Sequence, residues 1–246
     1  KAIPVLREQH ELDLVVVNGE NAENGSGITK AIFNRLRDHG VDGVTLGDHI
    51  YRKREIIPIL ESDAPVIRPA NYPPEAPGRE WMTLITTSGV PFCVVSLIGR
   101  VFMKPADCPF HAADRIWSQL PKKRGGVLVD FHAEATSDKQ LLGRYLDGRA
   151  SAVLGTHTHV TTADEQILPS GTAFQCDVGM TGPHDGIIGR RYDRVMETTF
   201  TQRPTSYNVA KGDNRLSGTL VVVDSRTHKA VSIERVKMNE DASQGS

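Results

Sequence analysis

Four apolar runs in this chain each stop abruptly at side chains able to hold a metal ion. Leu14-Val15-Val16-Val17 runs into Asn18-Gly19-Glu20-Asn21, and Val44-Thr45-Leu46 into Gly47-Asp48-His49. Val127-Leu128-Val129-Asp130-Phe131 meets His132, and Ala150-Ser151-Ala152-Val153-Leu154 meets Gly155-Thr156-His157-Thr158-His159. Apolar runs this short read as strands, and Leu14–Val17 as a fully buried parallel one. In parallel α/β sheets, sites assemble outside the carboxyl ends of strands. Glu20, Asn21, Asp48, His49, His132, His157 and His159 are therefore candidates to converge on one crevice.

Each of these residues has an ordinary reading when taken alone. Glu20 suits a loop or helix-capping carboxylate, Asn21 a turn and Asp48 an N-cap. His49 suits a solvated loop, His132 a satisfied core histidine, and a lone His-X-His a pair of hydrogen-bonded loop histidines. Joint placement at strand ends is what argues for a site. Carboxylate, amide and imidazole donors without thiolate suit zinc, iron or manganese at a hydrolytic two-metal centre. His10, His39, His111 and His228 lack that placement and read as surface or structural residues; His184, in a Gly/Pro-rich loop, stays open.

Composition narrows the class. The 246 residues carry a formal net charge of -1, which gives no global electrostatic case for nucleic acid or an anionic membrane. Three cysteines without a Cys-x-x-Cys pair suggest neither a disulfide framework nor a thiolate zinc site, and fit a reducing cytoplasm. The longest apolar run, around Val90 to Ile98, is too short to span a bilayer. The expectation is one α/β domain over 1–246, with a frayed polar tail from Asn239 to Ser246.

Along the chain, Ile28, Ile32, Phe33 and Leu36 mark a helix closed by Gly40, and a second helix is expected from Arg52 to Leu60 around Pro58. A strand at 66–68 precedes a proline-rich loop, and 81–87 and 92–98 read as paired strands. Helices are expected over 112–120, 140–146 and 192–200. Strands are expected over 172–176, 207–209, 216–223 and 230–236.

The strand-end segments, together with Asp130-Phe131-His132-Ala133-Glu134-Ala135-Thr136-Ser137 and Asp177-Val178-Gly179-Met180-Thr181-Gly182-Pro183, resemble the bacterial YmdB-like metallophosphoesterases of the calcineurin-like superfamily. The resemblance runs in order over nearly the whole chain. It implies a β-sandwich flanked by helices, with two metal ions, iron or manganese before zinc, at the strand ends. By resemblance, Glu20 bridges the metals, Asn21 and His159 bind the first, and Asp48, His132 and His157 complete the second. His49 is then the general acid of a phosphodiesterase in which a hydroxide formed at the metals attacks a small phosphodiester, such as a 2′,3′-cyclic nucleotide. Glu134, Thr136 or Asp130 is expected to orient a ligating histidine.

Two departures accompany the resemblance. The family opens with a strand ending in Gly-Asp-Val, whose aspartate binds the first metal; this chain opens at Lys1 in what reads as the following helix, so a longer natural protein is expected. The family usually has asparagine where Asp48 stands. The first departure supports an alternative: a catalytically impaired metal- or nucleotide-binding regulatory protein of the same fold. The retained His49 and metal histidines favour the enzyme, because a binding module needs no general acid. A metal-dependent amidohydrolase is disfavoured, since its His-X-His usually comes early. No stable nucleic-acid complex or membrane attachment is expected, and a homo-oligomer is compatible.

Overall fold

Side-chain parity along the strands sets the layers. The computed structural model describes residues 2–240. Strands β1 (Val16–Asn18), β2 (Gly43–Thr45) and β3 (Val66–Ile67) form a parallel sheet in that order. A six-stranded sheet holds β4 (Trp81–Ile85), β5 (Pro91–Ile98), β6 (Gly126–His132), β7 (Ala152–Thr156), β8 (Gln166–Ile167) and β9 (Ala173–Gln175). Its order is β4-β5-β6-β7-β9-β8, with a parallel centre and antiparallel β4 and β8 at the edges. The third sheet is antiparallel: β10 (Gly182–Pro183), β11 (Asn214–Val223) and β12 (Ala230–Asn239). The helices are α1 (Ala2–His10), α2 (Lys30–Asp38), α3 (Ile57–Leu60), α4 (Pro109–Trp117), α5 (Thr136–Tyr145) and α6 (Tyr192–Thr201).

On β6, Val127, Val129 and Phe131 belong to one core with Ala112, Ala113 and Ile116 of α4 and Leu142 of α5. Leu128 points the other way, as strand alternation requires. It packs with Ile67, Met82 and Val94 on one side and with Ala152, Val221 and Ile233 on the other. The first and third sheets thus share one face of the six-stranded sheet. A further core joins Val44 of β2 to Phe33 of α2 and Leu60 of α3. The result is the expected α/β architecture, a β-sandwich with helices on its flanks. The same parity that buries Leu128 aims Asp130 and His132 inward at the carboxyl end of β6, where His132 pairs with Thr156 of β7.

Several sequence expectations change. Leu14–Val17 is half-buried rather than fully buried, because β1 pairs only with β2 and forms the sheet edge among the described residues. The helix expected from Arg52 shortens to a 3-10 turn, Arg54–Ile56, followed by α3 with Pro58 in its first turn. α4 starts at Pro109, where a missing N–H does no harm, and ends at Trp117; α5 starts at Thr136. Residues 207–209 form no strand, only a bridge between Arg190 and Val209. β12 continues to Asn239, and the rest of the expected tail, 241–246, lies outside the described residues.

Candidate metal centre

The strand-end residues meet at the carboxyl edge of the sandwich. Glu20 follows β1 and is only 2% exposed. Its backbone N–H donates to Asn18 Oδ1 at 3.2 Å, which turns the chain inward. Asp48 and His49 follow β2 past Gly47. A Cβ on Gly47 would lie 2.4 Å from both Glu20 Oε2 and His132 Nε2, so only glycine lets the two strand ends close on each other. The His49 N–H then donates to Glu20 Oε2 at 3.0 Å. His157 and His159, beyond β7, both have left-handed backbone, φ 107° and 66°.

Glu20, Asp48, His132 and His157 each bring one donor atom to a cluster whose atoms all lie within 4.8 Å of one another. His132 Nε2 stands 3.2 Å from Asp48 Oδ1 and 3.4 Å from Glu20 Oε2. It is 2.9 Å from His157 Nδ1. Burial works against charge on His132, but the Asp48 hydrogen bond and the carboxylates of Glu20, Asp130 and Asp48 outweigh it and raise its pKa. Burial likewise opposes the ionised forms of Glu20 and Asp48, yet the histidines around them hold both below the usual carboxylate range, Asp48 far below. His157 is lowered by burial and by the neighbouring His132. The cluster draws positive charge.

The far nitrogen of each ring fixes which nitrogen faces the cluster. Thr156 Oγ1 donates to Asp130 Oδ1 at 2.7 Å, so at 3.0 Å from His132 Nδ1 it accepts that ring's N–H. Asp130 is itself held by Asn18 Nδ2 at 2.9 Å and Thr45 Oγ1 at 2.5 Å. Glu134 Oε2 lies 3.1 Å from His157 Nε2, and a carboxylate accepts that proton. His132 Nε2 and His157 Nδ1 are therefore the nitrogens that face each other, at 2.9 Å; two neutral rings would meet there lone pair to lone pair, and a proton held by His132 or a metal ion between them removes that clash. Two carboxylates and two imidazoles with oriented lone pairs fit a divalent cation of the zinc, iron or manganese kind.

A second group adjoins the first through Glu20. Asn21 Nδ2 donates to Glu20 Oε1 at 2.8 Å and stands 3.2 Å from His159 Nε2. The carbonyl of Ile188, 3.0 Å from His159 Nδ1, accepts that ring's proton and leaves the Nε2 lone pair facing Asn21. His49 Nδ1 lies 2.9 Å from Asn21 Oδ1, 3.4 Å from Glu20 Oε1 and 3.8 Å from Asp48 Oδ1. All seven candidates from the sequence thus lie in one connected site.

Of the three expected orienting residues, Glu134 orients His157, and Asp130 acts on His132 through Thr156. Thr136 instead opens α5. The sequence reading missed Thr156, Asn18 and Thr45, although all three share the inward parity of strand residues at this end. The Ile188 carbonyl carries no side-chain signal.

The YmdB-like protein model matches residues 1–236. A 2′,3′-cyclic-nucleotide 2′-phosphodiesterase of Bacillus subtilis is 44% identical over 239 residues, spanning 97% of this chain and 90% of the relative. A hypothetical protein of Thermus thermophilus superposes with TM-score 0.91 at 43% identity, over 97% of this chain and 91% of that one. A crystal structure described as a novel phosphatase, from Mycoplasma pneumoniae, superposes with TM-score 0.89 at 26% identity, over 99% of this chain and 89% of its own. With the match running through every strand end of the site, the chain belongs to the YmdB-like protein family.

Proposed function

We propose that this chain hydrolyses small phosphodiesters, 2′,3′-cyclic nucleotides among them, at a centre of two metal ions, with His49 as general acid. The observation that carries the reading is the pair of facing histidine nitrogens, His132 Nε2 and His157 Nδ1, 2.9 Å apart and flanked by the Glu20 and Asp48 carboxylates. The 44% identity to a 2′,3′-cyclic-nucleotide 2′-phosphodiesterase supports the substrate class. Asp48, His132 and His157 would hold one ion and His159 the other, with Glu20 between them; Asn21 would join the second ion through Oδ1, its amide turning from the orientation in which Nδ2 faces His159 and Glu20. These donors accept iron, manganese or zinc, and the family resemblance favours iron or manganese. Bound cations neutralise phosphate charge and make a water molecule nucleophilic at neutral pH.

The chain's own groups do the rest. Glu20 and Asp48 keep the cluster anionic, and the acceptors behind each imidazole prevent the rings from turning. Asn21 Oδ1 takes the Nδ1 proton of His49. That fixes the ring, and in its imidazolium form His49 keeps a second proton on Nε2 to pass to the leaving oxygen. General acid catalysis of this kind contributes about 10²–10⁴ in rate. The reading takes 1–246 as one domain working in the cytoplasm, free or as a homo-oligomer, without stable nucleic-acid partners. All three cysteines are free thiols, and among the described residues no helix is long and apolar enough to cross a membrane.

The test is hydrolysis of 2′,3′-cyclic AMP by manganese-loaded protein, wild type against His49→Ala. The expected loss is about 10²-fold or more in kcat, with metal content unchanged. Recovery with a substrate bearing a good leaving group, such as a nitrophenyl phosphodiester, would assign the loss to proton donation. A metal-loaded wild type that turns over neither substrate supports the regulatory binding protein instead.

A further inference from the structure

Lys139 and Asp177 form an ion pair at 2.8 Å with side chains 2% and 1% exposed, and neither belongs to the metal cluster. Buried ion pairs are poor contributors to stability, since desolvation offsets the attraction. Its surroundings give this one another role. Asp177 Oδ2 accepts the backbone N–H of Thr158 at 2.9 Å and its hydroxyl at 2.8 Å, and Oδ1 accepts the N–H of Gly179 at 2.9 Å. Thr158 is the residue between His157 and His159, both of which need an uncommon left-handed backbone. Lys139 reaches the carboxylate from α5 by passing beneath Gly155, where an added Cβ would stand 3.0 Å from its Cδ. The ammonium thus supplies, from behind the strand, the charge that lets a buried carboxylate grip the loop.

We infer that Lys139 and Asp177 are positioning residues for the metal centre, holding Thr158 so that His157 serves one ion and His159 the other. The inference rests on the metal-centre reading above. Because the histidines belong to different ions, losing the grip should disturb both metal positions together.

The test compares wild type with Lys139→Met/Asp177→Asn, which removes both charges and leaves neither partner buried alone. Three quantities are measured: amide exchange, manganese binding followed by electron paramagnetic resonance, and kcat against KM for a phosphodiester. The Thr158 amide should exchange at least about tenfold faster, while core amides such as Val129 keep their wild-type rates. Manganese affinity should fall about 10–100-fold, the usual cost of losing an outer support, and kcat should fall more than KM rises. Should the double variant fail to fold, Thr158→Val removes one of the grips without stranding a charge, and a threefold to tenfold loss of affinity is expected by the same reasoning. Wild-type manganese affinity in the folded variant overturns the inference alone. A wild type that itself binds no manganese overturns the metal-centre reading and the inference with it.

Discussion

At the scale of single residues, His132, His157 and His159 are imidazoles whose far nitrogens are each committed to an acceptor. The chain from His132 through Thr156 to Asp130 is the most exposed to test. Thr156→Val keeps the shape but removes the hydroxyl, leaving the His132 N–H and a lone pair of Asp130 unmatched. Metal affinity should drop about 10–100-fold, read by calorimetric titration with manganese. Asp48→Asn should behave differently. The asparagine keeps an oxygen toward His132 Nε2, now 3.2 Å from Asp48 Oδ1, and loses only charge. We expect turnover to survive with a changed order of activation by manganese, iron and zinc; a folded, metal-loaded and inactive variant would refute this. The metal-competent residues were legible because each follows an apolar run directly. Asn18, Thr45 and Thr156 were not, because small polar residues at strand ends are common and only their shared contact with Asp130 distinguishes them.

At the scale of elements, strands with sustained apolar character were readable, and short or half-covered ones were not. β8 and β10 are two residues each, too short for any periodicity to register. Leu14–Val17 has the composition of an interior strand, yet among the described residues β1 lies at a sheet edge, a matter of topology that no local pattern carries. One glycine ties element geometry to the site. A Cβ on Gly155 would stand 1.7 Å from the carbonyl oxygen of Cys176, so β7 and the chain leaving β9 pass at a distance that only glycine allows. Gly155→Ala must push backbone from backbone, and should cost more than about 3 kcal/mol in urea unfolding, at or beyond the upper end for overpacking. A cost below about 1 kcal/mol would mean that the two segments part easily.

At the scale of the whole molecule, the layers explain why residues from positions 20 to 159 meet. The first sheet lies on the six-stranded sheet, so the carboxyl ends of β1 and β2 face those of β6 and β7. The strands that end in metal-competent side chains were legible in the sequence, while the stacking order came from alternation on Leu128 and its neighbours. The decisive measurement is the number of metal ions retained per chain after purification with manganese, taken by elemental analysis on a sample shown to be folded. Two ions per chain is the predicted result. A folded protein that retains none would contradict the account at its centre, since a proton alone would then join the facing nitrogens of His132 and His157.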